Sequence, residues 1–155
     1  MSKLYKNQIY FRLLFSHSVY SEDGGLFMPT SIPVLDKSLK EAMEVNAFAR
    51  FVKKSLNLPS VYLINRGKKT VKKVAICGGA AGGCFKLALD EGYDIYVSGD
   101  APHHIRHDVN CYQFNYLEIW HEAEQIFIPV MARRLKALDK KLKIIMVNQP
   151  YPKVI

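Results

Sequence analysis

The chain has 155 residues, 49% hydrophobic and 23% charged, and its 22 Lys and Arg against 14 Asp and Glu give a formal net charge of +8. That balance is typical of one ordinary globular domain and excludes a disordered tail, a collagen-like chain and a coiled coil. No apolar run reaches the roughly 18 to 20 residues that span a bilayer, so the sequence predicts no membrane partner.

Ile9-Tyr10-Phe11-Arg12-Leu13-Leu14-Phe15 reads as a strand within an N-terminal segment, residues 1–21. That segment lacks Asp and Glu but carries Lys3, Lys6 and Arg12. Arg12 interrupts the apolar stretch, which argues against a secretory signal and leaves a cytoplasmic reading with mitochondrial import open. Ser21 to Pro33, with Gly24, Gly25, Pro29 and Pro33, is a loop. Residues 22–155 read as a single domain. Asp36 can cap a helix that carries Phe48, Phe51, Val52 and Leu56 at helical spacing and closes at Pro59.

Strands and helices then alternate. Val61 to Ile64 is a strand; Val74 to Cys77 is a buried strand running into Gly78-Gly79-Ala80-Ala81-Gly82-Gly83; Cys84 to Asp90 is a helix. Ile95 to Val97 is a strand ending at Ser98-Gly99-Asp100, and Pro102 suits the first turn of a helix reaching Cys111. Tyr116 to Trp120 is a strand, Ile126 to Leu138 a helix, and Leu142 to Val147 the last strand. This order predicts a layered α/β fold, a mixed and largely parallel sheet with helices on its faces. Ligands in such sheets sit at the carboxyl ends of the strands, here marked by Gly78-Gly79, Ser98-Gly99-Asp100 and His121.

Three clusters on that rim can carry chemistry. The glycine turn fits neither a P-loop nor a dinucleotide fingerprint, and it reads equally as a tight turn or as a backbone cradle for an anion. Asp100 can cap the helix that holds His103 and His104, whose side chains diverge by about 100° and so do not share one metal. His121 and Glu124 stand at i, i+3 and can converge on one divalent ion if the chain there is helical. Imidazole plus carboxylate suits zinc, iron or manganese, but a site needs three or four protein ligands. Cys77, Cys84 and Cys111 form no CxxC pair, which excludes a structural zinc knuckle and points to a reducing compartment. No G-x-S-x-G elbow is present. The lysine pairs Lys53-Lys54, Lys68-Lys69, Lys72-Lys73 and Lys140-Lys141 fall at expected helix ends and turns. A nucleic-acid partner therefore ranks last despite the charge.

Val71 to Gly79, Asp94 to His104, and a strand ending in His121 with a nearby Glu together resemble the C-terminal half of the Nif-three-like proteins, also called GTP cyclohydrolase 1 type 2 homologues. Gly24-Gly25-Leu26 and the stretch from Val45 to Ile64 are similar to that family upstream. The resemblance implies a fold of two related halves around a dinuclear metal site, assembled as ring-shaped homo-oligomers. His121 matches a family ligand. The family Glu falls four residues later, where this chain has Gln125, so Glu124 matches only with one residue deleted. His104 matches a histidine lining the cleft, beside Asp100, His103, Gly78 and Gly79. The family's N-terminal ligands have no counterpart, and only His17 stands among the first 21 residues. A truncated product, a diverged remnant and half of a split protein all fit that shortfall. Three functions follow. The preferred one is an oligomerising protein with a partial metal site, little independent catalysis, and a missing N-terminal half or another protein as partner. The second is a metal-dependent hydrolase acting on a nucleotide such as GTP, and the third is a basic nucleic-acid or transcription-partner module.

Overall fold

A computed structural model of the chain describes residues 39–153. The expected strand within residues 1–21, the glycine loop, His17 and the Asp36 cap lie outside them. The first described elements are β1 (Met43–Glu44) and α1 (Val45–Ser55), followed by β2 (Tyr62–Asn65), β3 (Thr70–Val71) and β4 (Val74–Ile76). Next come a single 3-10 turn (Gly82–Cys84), α2 (Phe85–Asp90), β5 (Ile95–Gly99) and α3 (His103–Cys111). β6 (Asn115–Ile119), a 3-10 stretch (His121–Ile126) and α4 (Phe127–Leu138) complete the order.

The main sheet runs β2-β6-β5-β4, and β1 pairs separately with β3. β4 with β5 and β5 with β6 are parallel, while β2 lies antiparallel against β6. The sheet is therefore mixed and mostly parallel, as the alternating pattern predicts. Its central strands β5 and β6 are buried on both faces, and the period of two sorts the side chains. Val74, Ile95, Val97, Leu117 and Ile119 face α1, which contributes Val45, Phe48, Ala49 and Val52 at i, i+3, i+4 and i+7. Ala75, Cys77, Tyr96 and Tyr116 face the other way, onto Phe85 and Ala88 of α2 and Val109 of α3.

Two elements differ from the sequence expectation. The helix expected from Asp36 onward begins only at Val45. Before it, Met43–Glu44 pair with β3, Leu39 N–H donates to the Lys72 carbonyl at 2.7 Å, and Val45 N–H donates to the Lys69 carbonyl at 3.2 Å. Glu44 caps the shorter helix by accepting from the Asn46 and Ala47 amides at 2.9 and 2.8 Å. Leu142 to Val147, expected as a strand, pairs with no strand among the described residues. Strand propensity without an adjacent edge leaves it irregular.

Two buried polar residues anchor the amino ends of the central strands. Asn115 accepts from Gly67 N–H at 2.8 Å and donates to the Lys68 and Asp94 carbonyls at 2.8 and 3.0 Å. Asp94 accepts from the Lys72 and Lys73 amides and from Lys68 Nζ at 2.6 Å. Burial opposes its ionisation, but Lys68 and the two amides outweigh burial and hold the carboxyl below its usual range. Asn115→Ala strands the Gly67 amide and two carbonyls. It should lower stability by about 1–3 kcal/mol in urea unfolding, and a loss below the error of that measurement would show the network to be dispensable.

Candidate functional site

The site lies at the carboxyl ends of β4, β5 and β6. The turn after β4 folds back on β5. Gly79 adopts φ 67°, a left-handed conformation that glycine tolerates. Its carbonyl accepts from Gly99 N–H at 3.0 Å and from Ser98 Oγ at 3.1 Å. A Cβ on Gly99 would stand 3.2 Å from that oxygen, so this close approach needs glycine. The chain leaves β5 at Asp100, also left-handed at φ 45°, a strained backbone that Asp tolerates better than most residues. That kink turns the Asp100 carboxylate onto His121.

Asp100 Oδ2 pairs with His121 Nδ1. His121 Nε2 faces Glu124 Oε2 at 3.6 Å. The 3-10 backbone of His121–Ile126 supplies the helical turn that the i, i+3 spacing requires. Glu124 also reaches the glycine turn, where its Oε1 lies 3.3 Å from the position of a Cβ on Gly79. Four residues singled out from the sequence, Gly79, Asp100, His121 and Glu124, thus meet in space. The hydrogen bond to Asp100 raises the His121 pKa above its usual 6.5, against partial burial, with Glu124 and Glu122 adding to the rise.

Other expectations fare differently. Asp100 does not cap α3; Pro102 occupies the N-cap position and no side chain caps that helix. His103 and His104 open α3 with exposed side chains. Gly78 is buried behind Gly79. Sequence reasoning missed Glu118, which accepts from Ala101 N–H at 3.1 Å and takes a two-pronged bond from Arg106, both prongs at 2.8 Å. Nothing in the spacing of Arg106 and Glu118 marks them as partners. It also missed the engagement of Gln125, whose side-chain oxygen accepts from Gln149 N–H at 2.6 Å. Nearby, Tyr151 packs edge-on against Trp120 with ring centroids 6.4 Å apart.

The donor set falls short of a metal centre. His121 Nε2 and Glu124 can face one ion, with Asp100 orienting the imidazole from behind as a carboxylate commonly does for a metal-bound histidine. Among the described residues, no group of three His, Cys, Asp or Glu side chains converges to hold an ion.

The profile of the Duf34/NIF3 (NGG1p interacting factor 3) family matches residues 34–152. The chain belongs to that family. A GTP cyclohydrolase 1 type 2 homolog of Bacillus subtilis is 35% identical over 106 residues, covering 67% of this chain and 28% of the relative. Its namesake in Staphylococcus epidermidis is 37% identical over 103 residues, covering 66% and 27%. The crystal structure of a Bacillus cereus protein related to NIF3 superposes with a TM-score of 0.63 at 28% identity, covering 76% of this chain and 34% of that one. The chain thus spans little more than a quarter of the length of these sequence relatives. Among the described residues no helix is long and apolar enough to cross a membrane.

The raised pKa fixes the sign of the pH dependence. The charged His121–Asp100 pair contributes stability fully below pH 6.5 and loses it as pH rises through the folded-state value. The stability gap between the protein and His121→Ala should therefore be widest in acid and narrow with rising pH. NMR titration should place the imidazole midpoint above 6.5 and lower it in Asp100→Asn. A midpoint unmoved by that substitution would remove Asp100 as the cause.

Proposed function

We propose that this chain is a Duf34/NIF3 protein with a partial divalent-metal site, acting within an assembly and with little independent catalysis. The observation that carries this reading is the rim itself: His121 and Glu124 face each other at 3.6 Å, and no third donor joins them among the described residues. His121 and Glu124 would hold such an ion, which would supply Lewis-acid chemistry there. The chain's own contribution is to orient the imidazole through Asp100 and to set Glu124 against the glycine turn. Gln125, at the position of the family's expected carboxylate, contributes a neutral amide that is already bonded to Gln149.

The assembly part of the reading rests on α4 and the segment after it. α4 has no buried residue, although it carries Val130, Met131, Leu135 and Leu138. Leu142, Ile145, Met146 and Val147, in the segment that follows, are exposed as well. Apolar exposure on this scale is the kind that marks an interaction face. Homo-oligomerisation is the simplest use of it, and docking of a different polypeptide is the other.

Two measurements test the reading. Zinc titration of purified protein should give binding no tighter than micromolar, weakened further in His121→Ala, with GTP turnover at background. GTP hydrolysis that depends on metal and disappears in His121→Ala would replace this proposal with the hydrolase. Sedimentation should show an oligomer that Leu138→Glu with Ile145→Glu dissociates, and a monomer at micromolar concentration would remove the self-assembly.

A further inference from the structure

On the flank of α3, away from the rim, Cys111 and His107 stand one helical turn apart with exposed side chains. Cys111 Sγ lies 3.7 Å from His107 Nδ1 and 4.0 Å from Nε2. The pair borders an open groove of about 430 Å³ that Arg66, Asn110 and Gln113 also line. Arg66 is held across the groove by donating from Nε to Asn110 Oδ1 at 3.2 Å.

We propose that this groove is a thiol-modification site, where Cys111 undergoes thiol–disulfide exchange with a small disulfide bearing carboxylates. The reading is independent of the metal question at the rim. His107 accepts the Sγ proton, and the resulting thiolate attacks one sulfur of the disulfide. The S–S bond breaks as the new one forms, and the departing thiolate takes a proton from the imidazolium. Cys111 is oxidised, the departing half is reduced, and the products are a mixed disulfide and one free thiol.

Several features of the groove fit that chemistry. An imidazole 3.7 Å from an exposed thiol stands where it can take the thiol proton, and the Arg66 guanidinium lines the same groove. The volume suits a small molecule. Arg66 offers a fork for a carboxylate, with the Asn110 and Gln113 amides alongside. The other two cysteines, Cys77 and Cys84, are buried, and burial raises the Cys84 thiol pKa above its usual value. They serve as internal controls.

The test is mass spectrometry of the intact protein exposed to glutathione disulfide, and in parallel to neutral hydroxyethyl disulfide. One mixed disulfide should form, at Cys111, and be absent in Cys111→Ser. His107→Ala should slow exchange with both reagents by roughly tenfold at neutral pH. Arg66→Gln should slow only the anionic reagent, by about threefold or more, and added salt should erase that difference. Circular dichroism should show each variant folded. Adducts at Cys77 or Cys84, rates indifferent to His107, or equal Arg66 effects on both reagents would each overturn the proposal.

Discussion

The Gly79 carbonyl is the point on which the rim of this protein depends. It accepts from Ala81 N–H at 2.9 Å inside its own turn, and from Gly99 N–H and Ser98 Oγ across the sheet. Three donors on one oxygen lock the glycine turn onto the end of β5. The lock needs glycine at both ends, for a left-handed φ at Gly79 and for space at Gly99. It also dictates the exit of the chain from β5. With β5 closed against the turn, the backbone kinks at Asp100, and that kink brings a carboxylate to the histidine at the end of β6.

Glu118 performs the equivalent task for α3. From a mostly buried position on β6 it holds the Arg106 guanidinium with both oxygens and also takes the Ala101 amide. The first turn of α3 is thereby tied to the strand one residue before the end of β6. His121 follows directly on this tied segment, so its ring orientation is inherited from the sheet and not chosen by a loop. At the opposite end, Asn115 and Asp94 hold the strand starts. The rigid unit is therefore the sheet with its polar clamps, and the exposed α4 surface lies outside it.

Among the described residues the rim offers a partial donor set. Asp100 takes up one imidazole nitrogen, the other faces a single carboxylate, and Gln125 is engaged with the chain near the C-terminus. Each family-like position is occupied in space, but the donor count is low. Charge has the same character on a larger scale. Lys53 and Lys54 sit in the last turn of α1, where the helix dipole favours cations, and Lys68 is spent on Asp94. Part of the positive charge thus has a structural use.

Much of this was legible in the sequence because it follows from periodicity and punctuation. The buried strands around Ala75, Val97 and Leu117, the helix from Pro102 to Cys111 and the glycine turn declare themselves by apolar runs, Pro and Gly. Glu124 at i+3 from His121 was likewise legible, since one turn of helical backbone suffices to bring them face to face. What the sequence could not fix is anything set by backbone hydrogen bonds between distant segments. The late start of α1 at Val45 goes with the bonds of Leu39 and Val45 to the distant Lys72 and Lys69 carbonyls, and Leu142 to Val147 pairs with no strand among the described residues. The Asp100–His121 pair was hidden for the same reason. Asp100 reads as a helix cap until the contact between Gly79 and Gly99 bends the chain the other way. Local residue chemistry determined most of the elements and which polar groups stand at the strand ends. The tertiary structure alone decided which of those groups meet, because the partners are brought together by strand neighbours that no sequence spacing encodes.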